Sequence, residues 1–522
     1  MGYVSDLDTK LLRLSGADYF TLRDACQGVH VFGGIGSGKT SGSGKALASA
    51  YLRAGMGGLI LAAKPDEVEL WIRYARDAGR ANSVVLFGDR GGGFNFLTYE
   101  LARHGADGIG SVVECLMRIL EAARLSKGDG GKSEPFWEDA TRQLLRNSIP
   151  VLYAATGTVR VPDIIRFVSS APISVEQLQT DDWQASSFMF QALLAAKDRP
   201  VAHISPGDFE KTSNYWRYEF AQLDNKTRSN IAISLSTSLD RFNRGRLHRA
   251  FCTETTLVPE LTFHGAIIIM DMSALTWNED GIIGNMLFKY MWQRAVLARN
   301  ALEQRHRDRP VFLWADEAQY FVNSYDTDYQ STCRSSRACT VYLSQSLPTY
   351  YAKMGGGQPQ HQADMLLANF VTKIFHNNAD FTTNRWASDT IGRSLQRCYN
   401  ESAGESSGWS LGMNSGANEN RGASHSYGGS TDGKGNSSSN WSSGGNSGSG
   451  DNWGRNRGQN SGTSNSAGYS ETMDVEIEPA IFARDLVTGG QANGGRVTGL
   501  WFSAGRQFQA SGRNYLHASF QQ

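Results

Sequence analysis

Eight consecutive residues near the start of the chain have the types and spacing of a loop that holds nucleotide phosphates. They match the pattern GxxxxGK[ST] in full. The eight residues are Gly33, Gly34, Ile35, Gly36, Ser37, Gly38, Lys39 and Thr40. The glycines let backbone N–H groups turn toward phosphate oxygens, Lys39 adds a positive charge for the β- and γ-phosphates, and the Thr40 hydroxyl is a ligand for Mg²⁺. The loop therefore predicts ATP and Mg²⁺ as cofactors.

The segments on either side of this loop have the order that a phosphate site needs. Val29–Phe32 is a short apolar run typical of a buried strand, and residues 41–52 have the spacing of a helix. The helix would direct the positive end of its dipole at the same phosphates. A second GSGK at residues 42–45 is followed by Ala46, which has no hydroxyl for Mg²⁺. We predict that this second motif is already helical and is not a phosphate site.

Two adjacent carboxylates follow a later apolar run. Residues 311–315 predict a buried strand, and Asp316 and Glu317 stand at its carboxyl end. Ligands bind at that end of the strands in open parallel sheets. We predict that Asp316 holds Mg²⁺ through its water shell and that Glu317 polarises the attacking water as general base. Asp271 also ends an apolar run but has no second acid beside it, so we expect it at the edge of the site.

Three further polar residues lie near the next apolar run, residues 340–344. Gln345 follows this run directly, where a glutamine could sense the γ-phosphate or orient the attacking water. Arg334 and Arg337 lie on a predicted helix before the run. An arginine that reaches a neighbouring subunit's γ-phosphate raises turnover roughly a thousandfold or more. A solvated helix face is the alternative, and the residues alone leave both open.

Strand-like and helical segments alternate on both sides of a long helical stretch. Strands are predicted at residues 59–63, 84–87, 265–270, 311–315 and 340–344. The stretch between about residues 106 and 260 has helical periods at 109–123, 136–154, 182–196 and 227–242. This order predicts an α/β fold with a parallel sheet and right-handed crossovers, into which an all-α domain is inserted.

Residues 401–470 are rich in Gly, Ser and Asn. Such a segment buries too little apolar surface to offset the entropy lost on ordering, so we predict a disordered, flexible tract. Aromatic and arginine residues are spaced along it, namely Trp409, Trp441, Trp453, Arg455, Arg457 and Tyr469. They could stack on nucleic-acid bases, although an unstructured spacer is the favoured interpretation. Strand patterns at residues 497–502 and 515–520 predict that the chain then returns to the sheet.

Composition and charge exclude several classes of protein. The 51 basic and 51 acidic residues balance, so the chain cannot coat nucleic acid through bulk charge. The six cysteines form no CxxC pair and are expected to be reduced thiols, and no metal site beyond nucleotide-bound Mg²⁺ is expected. We find no signal peptide and no apolar run long enough to span a bilayer. A cytoplasmic protein, or one peripheral to a membrane, is therefore expected.

Five motifs occur in a distinctive order along the chain. They are GGIGSGKT, LILAAKPDE (59–67), IIIMDMSAL (267–275), FLWADEAQYF (312–321) and CRSSRACTVYLSQS (333–346), and residues 369–393 follow them. In this order they resemble the conjugative coupling ATPases of type IV secretion systems, which are TraG/TraD-like proteins of the TraM-recognition-domain type within the FtsK/HerA-like group of ring motors. The resemblance covers about residues 17–400 and 471–520.

The resemblance implies a RecA-like P-loop motor domain with an inserted all-α domain. The motor domain would comprise residues 1–105, with the Walker A loop, and residues 261–400, with the Walker B acids. Residues 106–260 would form the all-α domain, 401–470 the low-complexity flexible tract, and 471–522 the terminal strands of the motor domain. Two expected features depart from the family pattern. One is the low-complexity tract, and the other is the absence of the transmembrane helices with which many coupling proteins begin.

The same resemblance implies an ATP-driven DNA translocase that feeds a DNA or nucleoprotein substrate to a type IV secretion or conjugation channel. Carried over by position, Lys39 and Thr40 bind nucleotide and Mg²⁺, the two acids after residue 315 form Walker B, and Gln345 follows the next strand. Arg334 matches the family's proposed inter-subunit arginine finger. The implied partners are DNA, five further copies in a homo-hexamer, and relaxosome and secretion-channel proteins. Docking at the inner face of the bacterial membrane would then need a partner.

Three alternatives stay open from the sequence. The cargo could be protein effectors, or the motor could process DNA outside conjugation as HerA- and FtsK-like motors do. A nucleotide-gated scaffold that barely hydrolyses ATP is the third, and the intact acid pair argues against it. Candidate DNA contacts lie in two basic clusters, Arg241, Arg244, Arg246, His248 and Arg249, and Arg305, Arg307 and Arg309.

Overall fold

Two structural units make up the chain, one comprising Met1–Asn384 and Ala480–Gln522 and the other Arg385–Pro479. The computed structural model describes residues 2–126, 135–354, 358–413, 420–431, 437–448 and 455–522. The strands in these ranges are β1 (Lys10–Arg13), β2 (Tyr19–Thr21), β3 (Val29–Phe32), β4 (Gly57–Leu61), β5 (Val84–Gly88), β6 (Ile267–Asp271), β7 (Val311–Ala315), β8 (Ala338–Ser344), β9 (Thr372–Phe375), β10 (Arg393–Met413), β11 (Asn420–Thr431), β12 (Ser437–Gly448), β13 (Arg455–Val475), β14 (Arg496–Ser503) and β15 (Tyr515–Gln521).

A nine-stranded sheet of order β15-β14-β9-β3-β8-β7-β4-β6-β5 forms the centre of the first unit. The strands from β9 to β5 run parallel, as predicted. β14 pairs antiparallel with β9 and with β15, so the chain returns to the sheet as predicted. β8 lies between β3, which precedes the phosphate loop, and β7, which precedes the acid pair. The carboxyl ends of these three strands therefore lie side by side.

Twenty-one α-helices occur in the described residues. They are α1 (Leu22–Ala25), α2 (Lys45–Arg53), α3 (Asp66–Asp77), α4 (Phe96–His104), α5 (Ile109–Ser126), α6 (Pro135–Thr156), α7 (Val161–Ser169), α8 (Asp181–Ser186), α9 (Phe188–Asp198), α10 (Pro206–Asn214), α11 (Phe220–Gln222), α12 (Asn225–Leu239), α13 (Gly245–Phe251), α14 (Ala274–Trp277), α15 (Glu279–Ala298), α16 (Gln304–Arg307), α17 (Ser324–Thr332), α18 (Leu347–Met354), α19 (Pro359–Ala368), α20 (Phe381–Ile391) and α21 (Pro479–Arg484).

Aromatic side chains fill the space between the sheet and helices α2 and α3. Trp71 of α3 contacts Phe312 and Trp314 of β7 with ring centroids 5.7 and 5.1 Å apart, and Tyr51 of α2 contacts Phe312 at 5.9 Å. Phe312 packs closely over β4 because residue 58 is glycine, where a Cβ would lie 2.3 Å from the ring. Full burial of one such ring stabilises the fold by roughly 1.5–3 kcal/mol. This packing holds α2 and α3 against β4 and β7.

The described residues between β5 and β6 contain helices α4 to α13 and no strand, as the helical period predicts. One predicted helix, at residues 182–196, is broken into α8 and α9. Ser187 between them is extended, its hydroxyl donates to Ser170 O at 2.9 Å, and it accepts from Phe190 N at 3.2 Å. A serine cap satisfies backbone donors at the start of a new helix, so the chain changes direction there.

The second unit contains a four-stranded antiparallel sheet of order β10-β13-β12-β11. β10 and β13 pair in continuous register from Arg393 opposite Val475 to Met413 opposite Arg455. Most of these strands fall in the Gly-, Ser- and Asn-rich tract, where no strand was predicted because no alternation of apolar and polar residues marks it. Antiparallel backbone pairing in register relates the four strands. The flexibility and role of the tract stay predictions.

Neither a disulfide nor a membrane-spanning helix occurs in the described residues. Cys26, Cys115, Cys252, Cys333 and Cys339 are buried and carry free thiols. No helix in the described ranges combines the length and the apolar character that are needed to cross a bilayer.

Candidate active site

Four loops meet at the carboxyl edge of the central strands. They follow β3, β8, β7 and β4, which are neighbours in the sheet in that order. The loops line a cavity of about 500 Å³ whose walls include the phosphate loop, Lys64, Tyr74, Glu317 and Gln345. Ligands of open α/β sheets bind at this edge. The sheet topology therefore brings the predicted phosphate loop and the predicted acid pair to one cavity.

The phosphate loop connects β3 to a π-helical turn, Thr40–Gly44, that continues into α2. Gly36 and Gly38 have φ angles of +71° and +82°, which side-chain-bearing residues rarely adopt. A Cβ on Gly38 would also lie 2.6 Å from the Val497 side chain. The second GSGK lies in the turn and the first residue of α2, so it is helical, as predicted.

Thr40 and Asp316 meet in this cavity, where Thr40 Oγ1 donates to Asp316 Oδ2 at 2.6 Å. Hydroxyl and carboxylate oxygens are the ligands that Mg²⁺ prefers, and the ion keeps several waters and binds substrate phosphates as well. Within the described ranges, no three His, Cys, Asp or Glu side chains cluster as a metal site of their own. These two oxygens therefore fit an Mg²⁺ ion that arrives with nucleotide phosphates.

Glu317 lies beside this pair, and four side chains contact its carboxylate. Its φ of +51° lies in the left-handed region, which is uncommon for a residue other than glycine and is often found at functional sites. Lys64 Nζ donates to Oε1 at 3.3 Å, Gln319 Nε2 to Oε2 at 2.9 Å, and Gln345 Nε2 to Oε1 and Oε2 at 3.1 and 3.3 Å. Lys39 Nζ forms an ion pair with Oε1 at 3.5 Å. The backbone and these donors fix the carboxylate at the cavity wall.

The surroundings of Glu317 keep it ionised. Burial alone raises the pKa of this carboxyl. The positive charge of Lys39 and the hydrogen bonds from Gln319 and Gln345 outweigh the burial, so the pKa of Glu317 lies below its usual value. The ionised carboxylate is the form that a general base needs.

Two residues at or near this cavity were not singled out from the sequence, namely Lys64 on the loop between β4 and α3, which lines the cavity, and Glu67 in the first turn of α3. Burial lowers the pKa of Lys64, but the charges of Asp316 and Glu317 outweigh it and raise the pKa. Glu67 is buried and accepts from Ala63 N at 2.8 Å, and burial with the charge of Asp316 raises its pKa to about 8. The sequence signal that could have identified them is the polar segment KPDE (64–67), which directly follows an apolar run. The position of this segment beside Glu317 depends on the pairing of β4 with β7.

Gln345 occupies the predicted place at the end of β8, between the phosphate loop and the acid pair. The main-chain carbonyl of Gln345 accepts from Asn378 Nδ2 at 2.8 Å, which holds the backbone of this residue. Ser344 Oγ donates to Gln319 Oε1 at 2.9 Å, so the amide of Gln319 is held in place beside Glu317. The catalytic roles of these residues stay predictions.

Arg334 does not join this cluster within its own chain. It is exposed on a 3₁₀ turn, Cys333–Ser336, at the amino end of β8, whereas the cavity lies at the carboxyl end. The predicted helix between the acid pair and the next strand is α17, but it ends at Thr332, so Arg334 lies on the turn that follows it and Arg337 lies just after that turn. Arg337 has a φ of +49°, and its guanidinium donates to Ser5 O at 2.7 Å and Asp308 O at 2.9 Å. A role for Arg334 in a neighbouring subunit stays a prediction.

Asp271 lies away from the phosphate cavity. β6, which it ends, is separated from β7 by β4. Its carboxylate accepts from Arg90 Nε at 2.7 Å, and Arg90 Nη1 donates to Glu69 Oε1 at 2.6 Å. The expectation that Asp271 lies at the edge of the site is therefore wrong. The strand order places Asp271 near Glu69, the exposed acid of α3, instead.

Carboxylates pair with arginines of the first basic cluster. Arg241 forms ion pairs with Glu279 and Asp280. Two more pairs are Arg244 with Asp240 at 3.0 Å and Arg246 with Asp89 at 3.8 Å. In the second cluster, Arg309 donates to Gly55 O at 2.9 Å and lies over the Tyr3 ring. A nucleic-acid phosphate would have to compete with these carboxylates for the first cluster.

A buried ion pair supports the segment that follows the acid pair. Lys289 of α15 and Asp326 of α17 form a salt bridge with almost no exposure to solvent. Lys289 Nζ also donates to Phe321 O at 2.5 Å, and Asp326 accepts from Gln293 Nε2 at 2.8 Å and Tyr342 OH at 2.9 Å. The network ties this segment to α15, α17 and β8.

We expect Lys289→Met to lower the free energy of unfolding by about 3 kcal/mol, because it leaves Asp326 buried without its cation. Adding Asp326→Asn should recover part of the loss, since it removes the unpaired buried charge while the amide oxygen still accepts from Gln293 and Tyr342. Urea denaturation followed by circular dichroism measures both variants. Lys211→Met, at an exposed lysine of α10, is the control. A loss for Lys289→Met no larger than that of the control would contradict the role of the pair.

His376 connects the end of β9 to the helix after the phosphate loop. Its Nδ1 lies 3.0 Å from Thr498 O, so this nitrogen carries the proton and donates to the carbonyl. Its Nε2 therefore accepts from Ser43 Oγ at 2.7 Å. Burial lowers the pKa of His376 to about 4, against the opposing effect of the bond to Thr498 O. The imidazole is thus neutral in the folded protein.

The low pKa of His376 predicts a loss of stability in acid. Since the folded pKa of about 4 lies below the ordinary 6.5, the neutral ring contributes stability that is complete above pH 6.5 and is lost as the pH falls toward 4. The loss amounts to roughly 3 kcal/mol. We expect the melting temperature of His376→Gln to fall less between pH 6.5 and 4 than that of the unchanged protein. His517→Gln, at an exposed histidine, is the control, and parallel pH curves for all three proteins would contradict the prediction.

Comparison with known proteins identifies solved structures of the same fold. No protein-family model and no curated protein matches this sequence. The bacterial conjugative coupling protein TrwBdeltaN70, in a trigonal form in complex with sulphate, matches at 14% identity over 99% of this chain and 90% of that one, with a TM-score of 0.54. Its unbound monoclinic form matches at 14% identity over 98% and 89%, with a TM-score of 0.52. The predicted α/β, RecA-like P-loop fold with inserted helices is therefore confirmed.

Proposed function

We propose that this chain is a Mg²⁺-dependent ATPase that moves DNA, acting as a coupling protein that feeds a DNA or nucleoprotein substrate to a type IV secretion channel. One observation carries the ATPase part of the proposal. Glu317 is buried and ionised within 3.5 Å of Lys39 Nζ, beside the Thr40–Asp316 pair, in the cavity that the phosphate loop lines. Phosphate binding, Mg²⁺ binding and a base for water are the three parts that hydrolysis needs.

Each part of the reaction falls to a named group. The N–H groups of the phosphate loop and Lys39 would bind the β- and γ-phosphates, and Thr40 and Asp316 would hold Mg²⁺. Bound Mg²⁺ supplies positive charge to the phosphate oxygens. Glu317 would orient the attacking water and take its proton, and Gln345 would hold Glu317 and the water in line.

The fold of the solved neighbours supports the DNA-moving part. Both structures are crystal forms of one conjugative coupling protein, and each aligns with nearly the whole of this chain. We include in the proposal a homo-hexameric ring, relaxosome and secretion-channel partners, and a cytoplasmic location with docking at the inner face of the membrane through a partner. The proposal also includes a division into domains. The motor domain comprises residues 1–105 and 261–400, the all-α domain residues 106–260, the low-complexity tract residues 401–470, and the terminal strands of the motor domain residues 471–522.

Steady-state hydrolysis of ATP by the full chain, with no DNA, with single-stranded DNA and with double-stranded DNA, tests the proposal. We expect DNA to stimulate the rate and the stimulation to weaken as salt rises, since phosphate contacts release counterions. The strand form that stimulates identifies the form that the motor follows. A protein that hydrolyses no ATP under any of these conditions would refute the proposal and leave the nucleotide-gated scaffold.

Protein effectors are the second candidate cargo. The pairing of Arg241, Arg244 and Arg246 with carboxylates, together with the balanced charge of the chain, favours this alternative over a broad DNA-binding surface. A rate of hydrolysis that DNA does not change would support it.

A further inference from the structure

Lys64 is the second lysine of the phosphate cavity, and the proposed reaction gives it no role. It lies on the loop between β4 and α3, and β4 is the neighbour of β7 in the sheet. Its Nζ is 3.3 Å from Glu317 Oε1, the same oxygen that Lys39 Nζ approaches at 3.5 Å. The side chain of Lys64 is 39% exposed, whereas that of Lys39 is 9% exposed. Lys64 therefore stands between Glu317 and the open part of the cavity.

The backbone that carries Lys64 is held from two sides. Ala63 N donates to the buried carboxylate of Glu67 at 2.8 Å, and Glu67 N donates to Lys64 O at 3.3 Å. From the segment after β6, Leu275 N donates to Ala63 O at 3.0 Å. The backbone of this loop is fixed by these bonds, so the flexible side chain of Lys64 is the part that can change its partner.

In this arrangement the Glu317 carboxylate is fully occupied by donors. Two lysines share Oε1, Gln319 contacts Oε2, and Gln345 contacts both oxygens. A general base must offer a lone pair to the proton that it takes from water, so at least one of these donors has to leave before the reaction. The amide of Gln319 is held by the hydroxyl of Ser344, and Lys39 is almost fully buried, whereas the side chain of Lys64 is 39% exposed and is therefore a donor that can leave.

We propose that Lys64 binds the γ-phosphate of ATP and, in doing so, releases Glu317 to accept the attacking water. The proposal deepens the proposed function and rests on it. The γ-phosphate brings negative charge to the cavity that Lys64 lines, and it competes with Glu317 for the ammonium group. ADP lacks the γ-phosphate, so Lys64 stays on Glu317 when ADP is bound. Lys64 would thus make the position of the general base depend on the intact triphosphate.

Equilibrium binding of two nucleotides to the full chain tests this role. We expect Lys64→Met, which keeps the aliphatic stem of the side chain, to weaken binding of a slowly hydrolysed ATP analogue with Mg²⁺ roughly tenfold, the value of one charge-assisted hydrogen bond. The dissociation constant for ADP should not change. Lys64→Arg keeps the charge and should restore most of the preference for the triphosphate. Lys45→Met, at an exposed lysine one turn beyond the loop, is the matched control and should leave both constants unchanged.

The outcomes separate this proposal from the function on which it depends. Equal losses for the ATP analogue and for ADP, or no loss for either, would overturn the role of Lys64 while leaving an ATPase in place. If Lys64→Met lowers the melting temperature, Lys64→Arg decides, because a γ-phosphate ligand predicts a retained preference for the triphosphate. Failure of the unchanged protein to bind either nucleotide would instead refute the proposed function, and Lys39→Ala supplies the reference for lost binding.

Discussion

Glu317→Gln is expected to lower kcat for ATP hydrolysis by about a hundredfold to ten-thousandfold, the usual contribution of a positioned general base. Glutamine keeps the size of the side chain and can still contact Gln319 and Gln345, but it cannot take a proton from water. It also removes a negative charge from a cavity built for phosphates. ATP should therefore bind to the variant at least as tightly as to the unchanged protein.

Paired measurements of turnover and of nucleotide affinity check this prediction. Glu69→Gln is a suitable control, because Glu69 is an exposed acid on α3 that pairs with Arg90 outside the cavity. Turnover of Glu317→Gln close to that of the control would show that another group activates water. Loss of nucleotide binding in Glu317→Gln would assign this carboxylate to the structure of the cavity instead of to the reaction.

Those parts of the site that depend on local sequence could be predicted. The phosphate loop is one continuous segment, and the acid pair and Gln345 each follow an apolar strand directly. Because parallel strands present their carboxyl ends at one edge of the sheet, recognising the strands sufficed to place these residues together. The terminal strands β14 and β15 were predicted for the same reason, from their own apolar pattern.

The residues that were missed depend on which strands are neighbours. Lys64 reaches Glu317 because β4 pairs with β7, and Asp271 stays away from the site because β6 lies one strand further out. His376 supports the phosphate loop through Ser43, 333 positions away in the chain. No local pattern encodes such pairings. The short β9 and the hairpin of β1 and β2 lacked enough residues to establish a period of their own.

Arg334→Ala is expected to lower the DNA-stimulated turnover of the assembled protein roughly a thousandfold, the value of an arginine finger. The position of Arg334 relative to the cavity of its own chain does not explain such a loss of turnover. Arg334 is exposed before the first residue of β8, and the seven residues of that strand place it about 23 Å from the end that carries Gln345. An arginine so placed can act only on a site in another subunit. Ser335→Ala, at an exposed residue of the same turn, should leave turnover unchanged.

A mixture of two inactive variants distinguishes action in a neighbouring subunit from a local structural effect. Arg334→Ala keeps a complete cavity, and Lys39→Ala keeps the arginine. In rings assembled from equal amounts of both, about a quarter of the interfaces would join an intact arginine to an intact cavity, so activity should return. Because neither variant contains a complete interface alone, a mixture that remains inactive under conditions where subunits exchange would contradict the finger. It would also remove the strongest reason, in this chain, for expecting hydrolysis to take place between subunits.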